Sequence, residues 1–424
     1  MGGFDNRPSI IARPANADDV ARIVLFARDN ELELAVRSGG HSGAGHSTTN
    51  GGIVLDLRDM NAVEIDPDKR VAWAETGATA GEYSTAAAAH GFATGFGDTG
   101  SVGIGGITLG GGIGYLTRKY GMTIDSLVAA DVVTADGRLL RADASSHPEL
   151  FWAIRGGGGN FGVATRFCYR LHPVAQVVGG MLLLPATVDV IAGLAEIAEA
   201  APEELSAIVN VMPAPPLPFV PEQVRGKMSV MVLLCCSVDG STGESIVAPL
   251  RKIATPLVDM VRPMRYPELF PPEDHSYHPI VVSRTLFLDR FDRRVASTIL
   301  EHLEASDAPM RVTQFRVLGG AMARVPADAT AFAHRSSRIL ASIAVFYNGE
   351  AERAAREPWV RSFVDALRQE DRGAYVNFMG KEGPERVREA YPGSTWARLA
   401  AVKAQYDPTN LFRLNQNVPP AGGH

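Results

Sequence analysis

"VRSGGHSGAGHSTTNGG", residues 36 to 52, holds six glycines and two histidines in seventeen positions, too much backbone freedom for the interior of a helix or strand. Glycine tolerates left-handed dihedral angles and lets a backbone approach a ligand closely, but it loses the most conformational entropy on ordering. A loop of this composition is therefore either disordered or wrapped around something, and its surroundings decide which. Upstream, Val20, Ile23, Val24 and Ala27 of "NADDVARIVLFARDNEL" fall on one helical face, and the acidic residues occupy the first turn, where the helix dipole favours them. Downstream come the strand-like runs "GIVLDL" and "RVAWAETG", then an alanine-rich helix over Ala80 to His90.

Two more glycine clusters follow, "GFGDTGSVGIGGITLGGGIGYLTRKYG" at 95 to 121 and "GGGGNFG" at 156 to 162. Between them lie two strands, "SLVAADVVTA" and "RLLRAD", joined by a hairpin at Asp136-Gly137. Ser146 and Glu149 form an expected capping box for the helix "PELFWAIR". Three glycine loops between residues 36 and 162 imply one large, elongated ligand touched by all of them. Beyond "HPVAQVVGG" the clusters stop, which places a domain boundary near 173. From there strands such as "KMSVMVLLCCSV", "MRVTQFRVL" and "RILASIAVFY" alternate with helices near 242 to 253, 291 to 305 and 351 to 369. "PAPPLPFVPEQ" (213 to 223) reads as a surface excursion, because proline removes donors and fixes φ.

Composition narrows the partners. The 424 residues include 41 Lys and Arg against 47 Asp and Glu, a formal charge of −6, with no long basic run. Nucleic acid and anionic membrane surfaces are therefore poor partners, and a small, uncharged or cationic ligand is expected. Cys168, Cys235 and Cys236 build neither a disulfide framework nor a zinc spacing. His41 and His46, or His275 and His278, have no carboxylate arranged to complete a metal site, so no metal is expected. The N-terminus lacks a signal pattern, and no apolar run reaches the roughly 18 residues of a membrane helix, so the cytoplasm is the expected setting.

Two motif readings fail on context. "GGGNFG" matches G-x-G-x-x-G, but a helix precedes it and a strand follows, the reverse of the dinucleotide fingerprint. "GGHSGAG" misses the nucleophile elbow because Ala44 stands at the last glycine position. A lone loop histidine such as His41 is ordinarily a surface or hydrogen-bonded residue.

Five ordered blocks reverse that reading. "VRSGGHS" with "GGIVLDLRDMNAVEID", "GSVGIGGITLGGGIGYLTRKYGMTIDSL", "PELFWAIRGGGGNFGVAT" and "RLAAVKAQYDPTNLFRLNQNVPP" resemble the berberine-bridge-enzyme-like FAD-linked oxidases of the PCMH-type, vanillyl-alcohol-oxidase flavoprotein superfamily. The resemblance implies an α+β protein with a PCMH-type FAD-binding domain over 1–173. A substrate-binding domain with an antiparallel sheet covered by helices would span 174–394, and a C-terminal segment, 395–424, would return to the flavin. It implies that His41 is bonded to the 8-methyl carbon of FAD, which raises the flavin's reduction potential. The backbone of Arg37, Ser38, Gly39, Gly40, Ser42 and Gly43 would cradle the pyrophosphate as a nest. Thr99, Gly100, Ser101, Val102, Gly105, Gly106, Gly110, Gly111, Gly112 and Gly114 would run along the cofactor, Gly162 and Val163 would complete its channel, and Asn415 and Asn417 would contact the flavin.

Thr99 stands where many members carry a second, cysteine link, which implies a single-link flavin as in the hydroxynicotine-oxidase-like branch and a narrower cleft. Val102 occupies the position of the family's oxygen gate, where valine accompanies use of molecular oxygen. Tyr375 of "AYVNFMG" matches the family's Y-x-N base, although Phe378 and Gly380 depart from its usual continuation. A phenol with a pKa near 10 needs a cation or hydrogen-bond donor to act as a base at neutral pH. Arg284, His275, His278, His334 and Arg335 are further second-domain candidates. The implied enzyme removes a hydride from a C–H next to a hydroxyl or amine of a small organic substrate and passes the electrons to oxygen, giving hydrogen peroxide. A flavin dehydrogenase with another acceptor and a non-catalytic flavin-binding protein are the alternatives.

Overall fold

Asn16 caps the first helix, Ala17–Asp29, by accepting the Asp19 N–H, and Val20, Val24 and Ala27 turn its inner face into the core. This computed structural model describes residues 3–238, 240–270 and 279–422. The helix covers a three-stranded parallel sheet in which Ile53–Asp56 lies between Ile10–Ala12 and Leu34–Arg37. The glycine loop that follows Arg37 is the crossover between two of these strands.

A second, antiparallel sheet orders Val63–Asp66, Val71–Glu75, Val163–Arg170, Leu127–Val133 and Leu139–Asp143. Its hairpin turns at Gly137, whose φ of +79° suits glycine, and Thr134 N–H closes on Arg138 O at 3.0 Å. The capping box expected at Ser146 does not form. Asp143 Oδ1 instead takes the N–H groups of Ser145 and Ser146 at 2.8 and 2.7 Å, and the helix Pro148–Ala153 starts after a left-handed His147. Proline at the first helical position needs no donor partner, so the start shifts past Ser146.

The larger sheet is antiparallel throughout. It runs Val258–Asp259, Val177–Pro185, Met228–Cys236, Leu205–Pro213, Met310–Val317, Ile339–Tyr347 and Ile280–Leu288, with Arg262–Met264 also paired to Val177–Pro185. Strand side chains alternate between faces. Val209, Val211, Phe315 and Ile343 share an apolar core with Ile191 and Leu194 of the helix Val188–Ala200 and Ile299 and Leu303 of the helix Arg293–Ala305. Their neighbours look the other way: Ile208 packs with Tyr115 and Leu116, and Phe287 and Leu340 pack with Ile113 and Tyr375. One face of the sheet thus binds helices, and the other meets the second glycine loop.

Already at Ala331, and again from Ala374 on, the chain packs into the core around the five-stranded sheet. Ala374, Met379, Tyr391, Leu399 and Val418 all enter the core around the five-stranded sheet. A fully buried ion pair fixes this return. Lys403 Nζ lies 2.6 Å from Asp407 Oδ2 and also donates to Asn160 O at 2.7 Å and Phe412 O at 2.9 Å, while Asp407 accepts the N–H groups of Leu411 and Phe412. Burial pushes the ammonium pKa down, and Asp407 opposes that shift. Lys403→Met leaves Asp407 buried without its cation, and we expect a loss of about 3–5 kcal/mol in denaturant unfolding. A loss below about 1 kcal/mol would show that the pair is dispensable. Among the described residues, no helix is long and apolar enough to cross a membrane.

Candidate active site

The first two glycine loops touch backbone to backbone. A Cβ on Gly39 would collide with Gly103 N, a Cβ on Gly103 would collide with Gly39 N, and Gly105 lies against the Ser38 side chain. Only glycine permits this approach. Ser38 Oγ donates to Thr76 O at 2.5 Å, and Ser101 Oγ sits 2.8 Å from His41 Nε2, so the imidazole is held against the second loop. Among the described residues, no protein acceptor answers the backbone N–H groups of Gly39, Gly40, Ser42 and Gly43. These four backbone donors lie in a half-buried loop. Gly106 faces open space, with nothing within 4 Å of where its Cβ would be.

The later glycines do different work. Gly110 closes on the Asn377 amide, Gly111 on Met122 and the Tyr375 ring, Gly112 on Thr123, Gly114 on Phe96 O, and Gly162 on Val133 O. At these positions an added Cβ would meet neighbouring chain. Val163 is buried in a core with Val133, Leu411 and Phe412, so its side chain turns away from the expected channel. On the second loop, Thr99 and Val102 are half-buried, and Val102 O receives the Ala80 N–H at 2.9 Å.

The third loop pins the tail. Asn160 Nδ2 donates to Gly157 O at 2.8 Å and Gln416 O at 3.1 Å, while its Oδ1 accepts the Val418 N–H at 2.9 Å. Among the described residues, Asn415 Oδ1 and Asn417 Oδ1 are buried acceptors without a protein donor. Asn160 is a residue that sequence reading passed over, and its signal was the single polar side chain in "GGGGNFG".

Tyr375 is buried at the seam between the domains, where it opens a short 3-10 turn, Val376–Phe378, rather than lying on a strand. Its oxygen accepts from Gly112 N–H and Asn377 Nδ2, each at 2.9 Å. Burial pushes the phenol pKa up; the Asn377 and Gly112 donors and the Arg316 charge pull the other way. Arg316 reaches this corner from the large sheet. Its guanidinium lies 5.0 Å from the Phe378 ring centre and is 2.7 Å from Asp98 Oδ2. Asp98 and Arg316 were also missed, although an arginine in the apolar strand "MRVTQFRVL" was a visible anomaly.

Other candidates are structural. Arg284 pairs with Glu357 at 2.9 Å and Glu382 at 3.4 Å, and Arg335 makes two 2.8 Å bonds to Asp125. His334 Nε2 is 3.0 Å from Ala390 O, and burial lowers its pKa. Burial takes His46 down to about 4, so it is neutral at physiological pH. His275 and His278 lie outside the described residues.

Close-packed glycine loops, a histidine held against the second of them and a buried phenol where that loop meets the large sheet fit the class FAD-linked oxidoreductase. Comparison with known proteins agrees. The FAD binding domain family matches residues 8–143, and the berberine and berberine-like family matches 374–419. (R)-6-hydroxynicotine oxidase of Paenarthrobacter nicotinovorans is 33% identical, over 98% of this chain and 92% of its own. The FAD-linked oxidoreductase YgaK of Bacillus subtilis is 30% identical over 98% and 92%. In structure, 6-hydroxy-D-nicotine oxidase from Arthrobacter nicotinovorans superposes with a TM-score of 0.85 at 30% identity, covering 98% of this chain and 93% of that one. Xylooligosaccharide oxidase from Myceliophthora thermophila gives 0.84 at 25% identity, covering 99% and 93%. The chain belongs to the berberine-bridge-enzyme-like FAD-linked oxidoreductases and is an FAD-dependent oxidase.

Proposed function

We propose that this oxidase acts on a small organic substrate, removing hydride from a carbon that bears a hydroxyl or amine, with Tyr375 as base and His41 as the single covalent anchor of FAD. When bound, FAD supplies the two-electron acceptor for that hydride and the route by which the electrons reach molecular oxygen, giving hydrogen peroxide. Tyr375 carries the reading: its buried phenol oxygen is gripped by two N–H donors, which offset part of the cost that burial puts on the phenolate. In that state it takes the proton from the substrate heteroatom while Gly112 and Asn377 hold the oxygen in place.

Residues 37–43 and the start of the second loop hold the cofactor's phosphates, Ser101 orients His41, and the tail presents Asn415 and Asn417. No thiol is available for a second link. Thr99 stands at that position, and Cys168, Cys235 and Cys236 are buried in the two antiparallel sheets. Three free thiols also suit a reducing cytoplasm. Val102, at the position of the family's oxygen gate, supports oxygen as the acceptor.

The test is anaerobic mixing of FAD-loaded protein with a panel of alcohols and amines. At least one should bleach the flavin's visible absorbance, and air should restore it within seconds with one peroxide per bleached flavin. No bleaching by any member would reduce the protein to a flavin carrier. Recovery only with an artificial acceptor would make it a dehydrogenase.

A further inference from the structure

The stretch that delivers Tyr375 is held by side chains. Among the described residues, no backbone–backbone hydrogen bond fixes residues 371–374, which lie outside any helix or strand. Asp371 Oδ1 accepts the Gly373 N–H at 2.7 Å, and Gly373 lies so close to the His334 ring that a Cβ there would collide with it. The carbonyls of residues 372 and 373 fall to Arg386. From the helix Pro384–Ala390, its Nη1 donates to Arg372 O at 2.7 Å and its Nη2 to Gly373 O at 3.2 Å.

The same guanidinium reaches the large sheet. Nη2 also donates to Thr285 O at 2.6 Å, on the strand Ile280–Leu288 at one end of the sheet order. With Nη1 on Glu389 Oε2 at 2.6 Å, all four Nη hydrogens have acceptors, and Nε faces Glu382 Oε2 at 3.7 Å. The side chain is 13% exposed, so little water competes for these bonds. Val387 and Ala390 of the same helix pack into the core around the five-stranded sheet. One buried fork thus ties together that core, the end strand of the large sheet and the backbone just before the phenol.

The phenol oxygen depends on this tie. It takes one donor from Asn377, on its own turn, and the other from Gly112, on the second glycine loop. The first travels with the tyrosine, whereas the second holds only while residues 372–375 keep their place against that loop. We propose that Arg386 is the positioning residue of Tyr375, setting where the phenol oxygen stands relative to the second glycine loop. This rests on the reading of Tyr375 as base and adds the group that aims it.

Fluorine NMR of FAD-loaded protein labelled with 3-fluorotyrosine reads the geometry without any substrate. Of the ten tyrosine resonances, the one missing in Tyr375→Phe belongs to Tyr375. It should shift or split in Arg386→Met, and Arg386→Gln gives the same reading where the methionine variant fails to fold. Arg251→Met is the control. It strips an arginine that binds two carboxylates and a carbonyl, from the helix Gly240–Lys252 on the opposite face of the sheet, and should leave the line in place. Flavin reduction under nitrogen, by the alcohol or amine that bleaches it, should slow about 10–100-fold in Arg386→Met with KM little changed. In a Tyr375→Phe background the same substitution should cost nothing further. An unmoved Tyr375 line, an equal shift in Arg251→Met, or rate losses that simply multiply overturns the proposal. Full-rate reduction in Tyr375→Phe would instead sink the base reading, and the fluorine line still decides the positioning.

Discussion

Tyr375→Phe should lower kcat/KM by about 10²–10⁴-fold while the protein still loads FAD. The substitution removes one oxygen and leaves the ring, with its edge-on contacts to Phe332 and Phe378, in place. It also strands Gly112 N–H and one Asn377 N–H, a cost of about 1–3 kcal/mol that a melting curve will show. The pH profile separates a base from a packing residue. Burial holds the phenol pKa above its ordinary value, so at neutral pH most of the protein carries the protonated, inactive form. Activity that needs the phenolate must then rise as pH rises, about tenfold per unit below the folded pKa. In Tyr375→Phe that alkaline rise should vanish. Stopped-flow reduction under nitrogen measures both effects, and a variant that keeps the rise would transfer the proton to another group.

His41→Ala should release the flavin completely. Precipitated with acid, the unaltered protein should carry its yellow colour into the pellet, whereas the variant should leave it in the supernatant. The prediction is all-or-none because no second attachment exists: position 99 is threonine and all three thiols are buried in sheets. The nest at Gly39, Gly40, Ser42 and Gly43 survives the substitution, so the variant should still bind FAD reversibly in dialysis. Its reduction potential should fall, because an electron-withdrawing imidazole substituent has been lost from the ring. Colour that stays with the variant pellet would place the bond elsewhere.

What the sequence made legible was local. The glycine loops, His41 and the Tyr375–Asn377 pair each announce themselves within a few residues, and the structure sets His41 on Ser101 and Tyr375 on Gly112 of the second loop. Arg316 and Asp98 stand 218 residues apart, and their meeting depends on the register of strands contributed by a different domain. No local pattern encodes such a register. The glycines from 110 to 114 show the converse problem. Composition reports that a side chain is forbidden there, but not whether ligand or chain fills the space, and at Gly110, Gly112 and Gly114 it is chain. Ser146 went wrong on a similar point, since a matching motif does not reveal that Asp143 will claim the nearby N–H groups first.

The Lys403 lock sets a timetable for biogenesis. It ties the helix Ser394–Tyr406 to Asn160, and Asn160 in turn grips Val418, so the residues that seal this side of the site are translated after every other part of it. While the ribosome is still extending the chain, the nest and His41 exist without their closing wall. We expect attachment of the flavin to need this tail, so a nascent chain stalled short of residue 403 should emerge colourless even in a cell replete with FAD.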